Sequence, residues 1–94
     1  MGIGTTEETE KILQERLKEI EETIRRFNEE SLKPDKDFKC IEDIARSAVI
    51  CIHHLIGIFV ITDQYERALE MTLKAEYFIK QAMMACEMNK GKSQ

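Results

Sequence analysis

Ninety-four residues with a net charge of −4, no Trp, one Pro and four Gly describe one small domain, which buries only roughly 60–65% of its unfolded surface. The basic face that nucleic acid requires is missing: residues 1–30 hold nine Glu against five Lys and Arg, and the rest balance nine acids with nine bases. Three Cys without a C-x-x-C spacing fit reduced thiols in the cytoplasm, and no apolar leader opens the chain.

With few breakers inside, long helices are favoured. The first is expected over about 6–31. Thr5 and Glu8 have capping-box spacing, and Glu7, Glu8 and Glu10 suit the positive end of a helix dipole. Leu13, Leu17, Ile20, Ile24 and Phe27 follow at spacings of four and three, a narrow seam of the a/d kind. Glu7–Lys11, Glu21–Arg25 and Glu22–Arg26 stand at i,i+4 on the outer faces. Pro34 disfavours helix at Lys33 and sets the stop.

Residues 32–37 form a short loop in which Asp35 or Asp37 can cap the second helix, expected over about 38–61. Its inner stripe is Ile41, Ala45, Ala48, Ile52, Leu55 and Phe59. Val49, Ile50, Cys51, Ile56, Ile58, Val60 and Ile61 lie off that stripe, so the second half is apolar all round and is expected to be buried all round. The apolar run 48–61 spans about 21 Å as a helix, short of the ~30 Å hydrocarbon core. No membrane span is expected.

Thr62 and Asp63 break the pattern. Asp63 with Glu66 is a second capping-box-like pair, starting a third helix over about 64–88, with a frayed polar tail at 89–94. Its stripe reads Tyr65, Ala68, Leu69, Thr72, Ala75, Ile79, Ala82, Met83 and Cys86. The expected fold is all-α: a three-helix antiparallel up-down-up bundle, a long helical hairpin plus an N-terminal helix, in one domain spanning 1–94.

Two adjacent histidines, His53 and His54, interrupt the apolar run. The stretch His53-His54-Leu55-Ile56-Gly57 resembles the H-x-L-K-G pattern of histidine phosphotransfer domains, which are helical bundles. That resemblance makes His53 or His54 an alternative phospho-acceptor. The pattern's Lys is Ile56 here, and bulky Ile58 and Phe59 follow the Gly. A metal reading is weaker: neighbours on a helix diverge by about 100°, so one cation cannot easily take both. His53 with Glu76 is the only cross-helix pairing on offer, against a plain polar pair of His53 or Arg46 with Glu76. On the helical wheel His53 continues the edge of Lys39 and Arg46, and His54 faces away from the inner stripe with Ser47 and Asp43. Both are read as edge residues. No metal or cofactor is expected, and Cys40, Cys51 and Cys86 have no catalytic partner in the sequence.

The opening of the third helix, Asp63-Gln64-Tyr65-Glu66-Arg67-Ala68-Leu69, has a D-x-Y-x-x-A-L form common to helical-hairpin modules. Together with Ala45-Arg46-Ser47 and Ala75 it resembles the domain-of-unknown-function 357 family, small archaeal helical proteins. The likeness runs in outline over residues 9–86. Ala48, Val49, Ile50 and Cys51 replace that family's aromatic and acidic positions, and the stretch between the motifs is about one helical turn longer. The resemblance implies three helices and no chemistry.

The functional expectation is a non-enzymatic interaction module or accessory subunit, binding a protein partner or a second copy through the second helix. Ile50, His54, Ile58 and Ile61 are the expected contact residues, since they project away from the inner stripe.

Overall fold

The computed structural model describes residues 7–93. Three helices follow in chain order: α1 Glu7–Leu32, α2 Phe38–Ile61 and α3 Tyr65–Ser93. They form an all-α three-helix bundle 57 Å long and 18 by 17 Å across. The expected capping box at Thr5 lies outside the described residues. The α3 helix continues beyond its expected end at Met88, so residues 89–93 are helical.

The α2 helix is central: α1 and α3 both pack on it. All six residues of its expected stripe, Ile41 to Phe59, are buried. Ile44 and Ile58 are buried as well, and Cys51 is half-buried. Ile44, Cys51 and Ile58 are spaced by seven, a second line down the helix. It faces α1, because the Cys51 thiol donates to the Arg16 carbonyl at 3.5 Å. Two neighbours give α2 two seams, and its buried arc is wider than one stripe.

On α1 the buried residues are Leu13, Ile20 and Phe27, also seven apart, with Leu17 and Ile24 partly buried beside them. Among the described residues α1 does not bring its backbone against α3. The two meet through an edge-to-face ring cluster, in which Phe27 lies 5.2 Å from Phe78 and 6.3 Å from Tyr77. None of the three i,i+4 pairs expected on α1 forms. Arg25 instead pairs with Glu22 and Glu29, and Arg16 with Glu19. Exposed pairs are worth little, so nothing in the fold enforces one choice.

The α2 start is settled in favour of Asp37, whose carboxylate accepts from the backbone N–H groups of Lys39 and Cys40. The α2–α3 turn differs from expectation. Asp63 does not cap α3. It takes a left-handed conformation with φ of 61°, and its N–H donates to the Val60 carbonyl while the N–H of Gln64 donates to Phe59. These two bonds make a Schellman closure of α2 with Asp63 at the αL position usually held by Gly. The Gln64 carbonyl then accepts the first bond of α3, from Ala68.

The α3 helix is turned relative to its expected stripe. Ala68, Ala75, Phe78 and Ala85 are buried, with Met71 and Ala82 packed against the core. Small side chains at Ala68, Ala75 and Ala82 let the two backbones run close. Tyr65, Leu69, Ile79 and Met83, assigned to the core from sequence, are exposed. Apolar residues occupy so much of the α3 circumference that spacing alone does not choose the inner face.

Candidate interaction surface

Several exposed apolar residues of α2 and α3 lie on the side of the hairpin away from α1. A groove of about 550 Å³ runs there, with Val49 and Ile50 of α2 and Ile79, Ala82, Met83 and Cys86 of α3 as its floor. Glu42, Arg46, Glu87 and Lys90 form its rim, and no residue of α1 lines it. Ile50 is 72% exposed and Met83 62%. Beyond the groove towards the turn, Val60 and Leu69 are also exposed.

Both helices present a heptad-like series to this side. On α2 it is Glu42, Arg46, Val49, His53, Ile56 and Val60. On α3 it is Tyr65, Leu69, Thr72, Glu76, Ile79, Met83 and Cys86. Each advances by four and three, so each is one straight line on its helix. The α3 series is most of the stripe read from the sequence. That stripe exists, but its outer half is left uncovered by this chain.

Of the four contact residues expected on α2, Ile50, His54 and Ile61 are exposed and Ile58 is not. Ile58 is only 8% exposed because it stands on the α1-facing line. An acidic substitution there would unfold the bundle rather than detach a partner. Ile61 and His54 continue the back of α2 from Ile50. His54 is engaged within the chain: Arg16 Nε–H donates to its Nδ1 at 2.9 Å. The sequence reading missed Ile79 and Met83 as surface. Their four-and-three spacing with Leu69 was the signal, read there as core.

His53 is exposed, one turn beyond the groove. Glu76, the cross-helix partner expected for His53 or Arg46, is exposed and pairs instead with Lys80 at 3.1 Å. Among the described residues no three His, Cys, Asp or Glu side chains gather as a metal-binding group would. The three thiols are free. Burial pushes the Cys51 thiol up, the Glu19 carboxylate adds to that, and Arg16 opposes it. Within the described residues α2 alone is long and apolar enough, by length and composition, to cross a membrane. In this bundle 39% of that apolar stretch is buried, and Ile50, Val60 and Ile61 are exposed.

Comparison with family models, with curated proteins and with solved structures gives no match.

Proposed function

We propose that this chain is a small non-enzymatic helical interaction module, and that its contact face is the outer side of the α2–α3 hairpin. The observation that carries the reading is the groove between α2 and α3, whose apolar lining of Val49, Ile50, Ile79 and Met83 is bordered at one end by Glu42, Arg46, Glu87 and Lys90. A domain this size with several large side chains uncovered on one face has the form of a subunit waiting for a helical neighbour. The free thiols suit a reducing, cytosol-like compartment. The face is broader than helix 2 alone, and Ile79 and Met83 join Ile50 and Ile61 as its residues.

Sedimentation velocity tests this with wild type, Ile79→Asp and Met83→Asp, each alone and mixed with native extract. Wild type should sediment as a complex in at least one condition. Both variants should lose that complex while keeping their helical circular dichroism. A wild type that stays monomeric in both conditions would defeat the reading.

Phosphotransfer is the competing reading, and one observation favours it. His53 is exposed, and the surface at Gly57 one turn on is open, with no atom within 4 Å of where a Cβ would stand. Against it, the position where the resembling motif carries Lys is Ile56, and His54 already accepts a bond from Arg16. Acid-labile phosphate on His53 after incubation with a phosphodonor would reverse this order.

A further inference from the structure

We draw no further inference here: the strongest candidate, the exposed apolar face of the α2–α3 hairpin around Ile50, Ile79 and Met83, belongs to the site already described, and nothing in the structure shows what covers it.

Discussion

Arg16 on α1 reaches across to His54 on α2, with its Nε–H donating to the ring Nδ1 at 2.9 Å, while its other arm holds Glu19 at 2.6 Å. An acceptor Nδ1 means that His54 carries its proton on Nε2 in this arrangement. The bond gives His54 a bundle role: it ties the edge of α1 to the back of α2, at the same residue whose carbonyl accepts from the half-buried Cys51 thiol. It also explains why one member of the adjacent pair is engaged while His53 faces outward.

This latch predicts a measurable coupling. Arg16→Ala and His54→Ala should each cost about 0.5–1 kcal/mol, the ordinary net worth of a partly exposed hydrogen bond. The double variant should cost less than the sum, with an interaction energy of at least ~0.3–0.5 kcal/mol. Urea denaturation of the four proteins in the cycle measures it. Strict additivity would mean that the bond is not maintained in solution.

The α1 seam should show a graded response. Ile20 and Phe27 are buried against α2, and Phe27 also meets the α3 rings. Ile20→Ala and Phe27→Ala should each cost about 2–5 kcal/mol, the range for emptying a packed site. Leu17→Ala and Ile24→Ala, at the half-covered positions, should cost less than Ile20→Ala. Equal losses at all four positions would show that α1 is gripped on both edges of its seam.

Much of this bundle was legible in the sequence, for a reason visible in particular residues. The α2 stripe from Ile41 to Phe59 could be read because Lys39, Asp43, Arg46 and Ser47 mark the opposite side at its start, which orients the helix. Leu13, Ile20 and Phe27 could be read because charged residues surround them. On α3 the same spacing rule found Ala68, Ala75 and Ala82 but took the exposed Tyr65, Leu69, Ile79 and Met83 with them. Leu69 and Met83 are as apolar as Phe78 and Met71, and only the placement of α1, through Phe27 on Phe78, decides which side turns inward. Ile58 was misplaced because a single stripe was assumed for a helix that has two neighbours. The candidate face followed the same division. Ile50 and Ile61 were found as outliers from a clear stripe, while Ile79 and Met83 were absorbed into a core they do not join.

Cysteine reactivity should follow the packing. Cys51 is held up by burial and by Glu19 and points its thiol at the Arg16 carbonyl. A raised thiol has less thiolate at a given pH, and the thiolate is the nucleophile. Iodoacetamide at about pH 8, near the ordinary thiol range, should therefore label Cys51 more slowly than an unfolded control. Peptide mapping after timed quenching reads the site. Raising the pH should speed Cys51 labelling until its thiol ionises. Labelling of Cys51 in the native protein as fast as in the unfolded control would show that the α1–α2 seam opens readily there.

The turn between α2 and α3 offers the sharpest test of the corrected reading. Asp63 sits at φ of 61° with its N–H on the Val60 carbonyl, and its carboxylate only accepts from the exposed Tyr65 hydroxyl at 3.1 Å. An L-residue in this region costs about 1–2 kcal/mol, less for Asp and Asn, and Gly nothing. Asp63→Gly relieves that cost, loses a solvent-exposed side-chain bond and gives the unfolded chain more freedom. The net should be a stabilisation of about 0.5 kcal/mol. Asp63→Val, branched at Cβ, should destabilise by about 1–2 kcal/mol. Had Asp63 been the N-cap of α3, Asp63→Gly would be destabilising by a few tenths of a kcal/mol instead. The sign of that one substitution in a thermal melt therefore separates a residue that ends α2 from one that begins α3.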